Sequence, residues 1–210
     1  MDVIHPLLDE YSMLHSTKVD KIFEALRKET YKSTSHPEMQ VGPVEGRFLK
    51  MLVLMTAART VLEIGTFTGY SALMMASALP EVGVLYTLDR NETTNRIAQK
   101  YFDKAPFGAK IRPILGNAME TIMTVPGPID LAFIDADKTA YDFYYEEVLK
   151  RLRSGGIIAL DNMLWSGEVL DPEDDDGKAI DILNQKIARD PRVECVLLTV
   201  RDGIMLVRKK

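Results

Sequence analysis

Short apolar runs alternate with amphipathic helical segments along residues 60–209, a rhythm that confines this chain to an α/β sheet more tightly than any other feature it has. Runs at 60–65, 83–89, 110–116, 129–136, 156–162, 193–200 and 203–209 read as strands. Helical patterns begin between them near Tyr70, Glu92, Ala118, Ala140 and Lys178. A helix inserted between two strands makes them parallel, because it carries the chain back to the edge where it started. Only Arg201 and Asp202 separate the last two runs, which is too short for a crossover and long enough for an antiparallel hairpin. The expected sheet is therefore parallel with one reversed strand.

The N-terminal region, 1–58, is helical in pattern. Leu7, Leu8, Tyr11 and Leu14, then Val19, Ile22, Phe23 and Leu26, recur at helical spacing and suggest one or two docking helices. A turn-rich stretch, 33–46, precedes a further helix at 47–58. With 210 residues, 46% of them hydrophobic, the chain suits one domain, 1–210, with N-terminal helices and a core at 59–210. A net charge of −5 without a basic stripe argues against nucleic acid as a partner. The single cysteine, Cys195, excludes an internal disulfide. No basic-then-apolar leader opens the chain, and its longest apolar stretch, 51–58, falls far short of the roughly 20 residues that span a membrane. A cytoplasmic protein with no membrane partner is expected.

Ligands of open α/β sheets bind outside the carboxyl ends of the strands, so the residues at those ends matter most. The first strand runs into 65-GTFTG-69 and a helix. A dinucleotide turn needs a glycine between these two for close approach to the pyrophosphate, and Phe67 stands in its place. Glu63, close to the same strand end, would repel phosphates and attract an ammonium group. The second strand ends in Asp89, where an acid can accept both hydroxyls of a ribose. Together these residues suit a ligand that carries a ribose and an amino-acid moiety.

Farther along, the fourth strand ends in Asp135, followed by Asp137 and Lys138, and the fifth ends in Asp161 and Asn162. Two carboxylates and an amide oxygen on neighbouring strand ends are hard donors suited to Mg²⁺, Mn²⁺ or Ca²⁺. His5, His15 and His36 all lie near the N-terminus, so no zinc ligand set forms. Other readings stand beside this one: a helix cap for Asp135, a turn for Asp161 and Asn162, and a surface pair for Lys138 with Asp137. Met163 and Trp165 could wall an aromatic acceptor or simply fill the core. The acidic run 171–177 reads as a solvated loop or helix start, with metal or substrate contact as the alternative.

The segments 39-MQVGPVEGRFLKML-52, 61-VLEIGTFTGYSAL-73, 131-LAFIDADK-138, 160-LDNMLWSG-167 and 202-DG-203 occur in an order that resembles the cation-dependent, S-adenosylmethionine-dependent O-methyltransferases of the caffeoyl-CoA and catechol type. The resemblance implies a Rossmann-like class I methyltransferase fold, with a seven-stranded sheet in the order 3-2-1-4-5-7-6, strand seven antiparallel and helices on both faces. It implies Asp135, Asp161 and Asn162 as metal ligands, and Lys138 as the residue that deprotonates or steers the attacking hydroxyl. Val41, Glu63, Gly65, Thr66, Ser71, Asp89, Asn117, Ala118 and Asp137 would hold the cofactor. Met39, Trp165 and Ser166 would face the acceptor, an aromatic vicinal diol; plant members carry Asn where this chain has Ser166. The resemblance also implies a homodimer formed through the N-terminal helices. Two alternatives remain: a catalytically silent cofactor-binding protein, and a nicotinamide-dependent oxidoreductase, which the missing middle glycine disfavours.

Overall fold

The computed structural model describes residues 5–210. Three helices lead the chain, α1 (Pro6–Leu14), α2 (Lys21–Ser33) and α3 (Pro43–Thr56). Then follow β1 (Thr60–Ile64), α4 (Tyr70–Ala76), β2 (Val84–Asp89), α5 (Glu92–Lys104), β3 (Ile111–Leu115), α6 (Ala118–Thr121) and β4 (Ile129–Ile134). The remainder is α7 (Tyr141–Arg151), β5 (Leu152–Leu160), α8 (Asp175–Ala188), β6 (Val193–Leu198) and β7 (Ile204–Lys209). One seven-stranded sheet has the order β3-β2-β1-β4-β5-β7-β6. β7 runs antiparallel to both its neighbours, and the other pairings are parallel. This is the expected Rossmann-like arrangement with one reversed strand.

Period-two alternation sorts the strand side chains onto two faces. Val61, Leu131 and Phe133 join a core that includes Leu26, Leu49, Leu73 and Phe102 from α2 to α5. Leu62, Ile64, Ala132 and Ile134 join a second core with Tyr144, Val148, Leu183 and Ile187 from α7 and α8. Both faces are thus covered, which is why the central strands are apolar throughout. No described helix is long and apolar enough to cross a membrane.

Element boundaries differ from expectation where local chemistry overrides pattern. The helix expected at 47–58 starts at Pro43, whose fixed φ and missing N–H suit a first helical position. The helix expected near Lys178 starts at Asp175, because Asp174 accepts the Gly177 N–H. The acidic run is therefore a helix start, the favoured reading. The strand expected at 156–162 begins at Leu152 and stops at Leu160, and those expected to 136 and 200 stop at Ile134 and Leu198. Asp135, Asp161 and Asn162 consequently lie just past the last paired residues.

Gly65 sets how closely the first turn approaches the end of β4. Its φ is +104°, and a Cβ there would lie 1.7 Å from the Asp135 carbonyl oxygen. Both demands exclude a side chain. Gly65→Ala should cost about 3 kcal/mol, or roughly 6–12 °C of melting temperature in a chain this long. An unchanged thermal melt would show that the turn has room to give.

Candidate active site

A cleft of ≈1390 Å³ opens along the carboxyl ends of the strands. Gly65, Asp89, Asn117, Ala118, Asp135, Asp137, Lys138, Asp161, Asn162, Met39, Trp165 and Ser166 all line it, so most of the residues singled out in the sequence share one cavity. Val41, Thr66 and Ser71 are buried and line a small adjoining cavity with Met39, Gly65 and Asp135. The arrangement follows from the fold, since the residues other than Met39 and Val41 stand at a strand end or in the segment just beyond one, while those two lie on the strip that leads into α3.

At the first turn, Asp89 ends β2 and accepts the Phe67 N–H at 2.7 Å and the Asn91 N–H at 2.8 Å. One carboxylate therefore pins the turn between β1 and α4 and retains lone pairs toward the cleft. Glu63 departs from expectation. Its carboxyl group is 0% exposed and does not line the cleft, because strand parity turns it beneath α4, beside its register partner Thr87. The Thr87 hydroxyl donates to Glu63 Oε2, whereas Oε1 is a buried acceptor with no hydrogen-bond partner among the described residues. Burial pushes the Glu63 carboxyl up to about 8, against the opposing pull of Ser71 and Thr87. At neutral pH it is mostly a neutral acid rather than the anion its type suggests.

The ends of β4 and β5 bring four polar residues together. Lys138 Nζ, on a residue only 7% exposed, lies 2.7 Å from Asn162 Oδ1, 3.2 Å from Asp135 Oδ1 and 2.6 Å from the Tyr141 hydroxyl. It also sits 5.7 Å from the centre of the Trp165 ring. Asp161 is 2% exposed and accepts the Asn162 N–H. Its carboxyl is held well above the usual range, first by burial and then by the charges of Glu45 and Asp135. Among the described residues no three His, Cys, Asp or Glu side chains converge as a metal cluster; the donors gathered here are two carboxylates and one amide oxygen. Asp137, also on the cleft, accepts a hydrogen bond from the Tyr144 hydroxyl at 2.9 Å.

The loop after Asn162 turns through left-handed backbone at Asn162, Trp165, Ser166 and Gly167. Such a conformation persists only when its surroundings hold it. Here the β6–β7 turn does so: Met163 and Leu164 donate N–H groups to the carbonyls of Gly203 and Asp202, and Ser166 N–H donates to the Asp202 carboxylate.

Three contributors escape a reading of strand ends. Tyr141 is fully buried and receives Lys138, while its hydroxyl reaches the Ile134 and Asp161 carbonyls at 3.2 Å. Its spacing of three from Lys138, into the start of a helix, is the signal that could have found it. Glu45 is 0% exposed on α3 and pairs with Arg201 Nη1 at 2.6 Å across 156 residues of sequence. Glu45 shows only as an acid inside an apolar helix pattern, and Arg201 carries no signal at all.

Comparison with known proteins accords with this geometry. A family model described as O-methyltransferase matches residues 13–210. A caffeoyl-CoA O-methyltransferase of Populus kitakamiensis is 36% identical over 203 residues, covering 90% of this chain and 86% of the relative. The O-methyltransferase of Bacillus cereus, solved in complex with SAH, superposes with a TM-score of 0.89 at 30% identity over 97% of both chains. The O-methyltransferase TomG of Streptomyces achromogenes, solved in complex with SAM, gives 0.90 at 25% identity over 97% and 96%. With a matching family model over nearly its whole length, the chain belongs to the O-methyltransferase family, among relatives of the caffeoyl-CoA O-methyltransferase type.

Proposed function

We propose that this O-methyltransferase moves the methyl group of S-adenosylmethionine to one hydroxyl of an aromatic vicinal diol, using a divalent cation held by Asp135, Asp161 and Asn162. The convergence of Lys138, Asp135 and Asn162 within 3.2 Å beside buried Asp161 carries this reading. The donor set fits a cation: it is all hard oxygen, and burial together with neighbouring carboxylates penalises ionised Asp161 unless positive charge arrives. The first turn fits the cofactor: Asp89 offers lone pairs for ribose hydroxyls beside the Gly65 turn. When bound, the cation supplies Lewis acidity to a coordinated hydroxyl and the cofactor supplies an electrophilic sulfonium methyl.

The chain's own residues do the remaining work. Asp89 orients the cofactor through its ribose while the Gly65 turn keeps that end close to β4. Lys138 Nζ receives or steers the proton leaving the acceptor hydroxyl. Tyr141 holds Nζ on the side of the strand ends, and Trp165 walls the acceptor face. Methyl transfer is a displacement in line, so most of the gain comes from holding oxygen, methyl and sulfur in register. Bulky Phe67 in place of a middle glycine sets the turn apart from a nicotinamide site.

The two ends of the cleft should separate by mutation. Asp89→Ala should weaken S-adenosylmethionine binding first, by about ten- to a hundredfold for each charge-assisted bond lost. Asp161→Ala should keep most cofactor affinity and lose turnover. Calorimetry that finds cofactor affinity unchanged in Asp89→Ala would remove the ribose role.

Acceptor chemistry gives a second test. A vicinal diol could offer two oxygens to a cation held by Asp135, Asp161 and Asn162, whereas a single phenol could offer only one. Caffeic acid should therefore be methylated much faster than p-coumaric acid, with Mg²⁺ and cofactor saturating. Equal kcat/KM for the pair would reject the chelated diol.

A further inference from the structure

A buried polar triad joins three parts of the chain beside the cofactor turn, and none of its members has a role in the site described above. Gln40, 4% exposed, donates through Nε2 to Thr30 Oγ1 at 2.8 Å and to Thr68 Oγ1 at 2.9 Å. Thr30 belongs to α2, Thr68 to the turn between Gly65 and Gly69, and Gln40 to the strip that leads into α3. The Thr30 hydroxyl reaches the Leu26 carbonyl or Thr68 Oγ1, both at 2.9 Å. Its lone pairs are thus left for the amide, consistent with Nε2 facing the threonines.

Besides this triad, the burial of Val41 in the core holds the strip, a contact without direction. The backbone N–H groups of Met39 and Gln40 bond only to the carbonyls of His36 and Pro37, and no backbone bond among the described residues ties 36–41 to the turn at 65–69. Yet Met39, Gln40 and Val41 share a cavity of ≈10 Å³ with Gly65, Thr66, Thr68 and Ser71. One side-chain amide therefore makes the directional link between the two walls.

Stability alone does not account for a glutamine here. Its Oε1 is buried with no partner among the described residues. A buried acceptor left unpaired costs about as much as two neutral hydrogen bonds return, so the amide contributes direction more than net stability. Leucine would fill the volume without the orphan atom, but it would not fix the register.

Resting on the reading that the Gly65–Gly69 turn holds the cofactor, we propose that Gln40 is a positioning residue: it locks the Met39–Val41 wall to that turn through Thr30 and Thr68, and so tunes cofactor affinity without touching the reacting atoms. The test compares thermal melting without ligand and S-adenosylhomocysteine binding by calorimetry for the whole chain and for Gln40→Leu, Thr30→Val and the double variant. Gln40→Leu should melt close to the parent and bind about tenfold more weakly. Thr30→Val should weaken binding in the same direction, and the double variant should be no worse than Gln40→Leu, because both changes cut one link. Parent-like affinity in a folded Gln40→Leu or a folded Thr30→Val overturns the proposal, as does a loss of affinity that only follows a loss of melting temperature. If Gln40→Leu fails to fold, Thr30→Val alone decides. A parent chain that binds no S-adenosylhomocysteine overturns the cofactor reading and this inference together, whereas a binding parent with indifferent variants overturns only the inference.

Discussion

Three carboxyl groups meet two cations at the carboxyl edge of β4 and β5, and the functional part of the molecule is arranged around that imbalance. Arg201 pairs with Glu45 at 2.6 Å and Lys138 with Asp135 at 3.2 Å. Asp161, almost wholly buried, forms no ion pair among the described residues and accepts the N–H of its neighbour Asn162. Removing a carboxylate from water without pairing it is costly, and proximity to other acids adds to the cost. A fold could avoid this by placing apolar residues here, as it does along the rest of both strands. It keeps the acids instead, and reaches from α3 and the β6–β7 turn to partner one of them, an arrangement that accords with the proposed cation site.

The same edge depends on two close approaches. Gly65 brings the first turn against the Asp135 carbonyl, so that the end of β1 and the end of β4 share one cleft. Gly203, at φ +87°, lets the β6–β7 turn lie against Leu164, where a Cβ would fall 2.5 Å from that side chain. Through this contact the turn that carries Arg201 and Asp202 also holds the loop of Trp165 and Ser166. The ends of β1 and β4, the β6–β7 turn and the loop after Asn162 are thereby brought together by backbone proximity at two glycines.

What the sequence made legible follows from how local each signal is. The reversed strand came from connection length, which a two-residue link between β6 and β7 settles on steric grounds, whereas the order of the strands came only with the family resemblance. The strand-end acids were visible because a carboxylate ending an apolar run contradicts its surroundings. Pro43 and Asp174 shifted two helix starts, since caps act through single residues that periodicity does not weigh. Glu63 was seen as a residue but not as a neutral buried acid: its protonation depends on α4 covering it and on Thr87 in the adjacent strand. Glu45 with Arg201, and Gln40 with Thr30 and Thr68, were invisible because their partners lie far apart in the chain, and only the fold brings them together.

The central claim, that Asp135, Asp161 and Asn162 accept a divalent cation, is most directly tested by thermal melting of the chelator-treated protein with and without Mg²⁺ or Mn²⁺. Binding to the folded state alone at a hundred times the dissociation constant adds about 2.7 kcal/mol, roughly 5–10 °C for a chain of this size. The account predicts a rise of that order in the parent and its loss in Asp161→Asn. A parent chain whose melting temperature ignores Mg²⁺, Mn²⁺ and Ca²⁺ alike would contradict it.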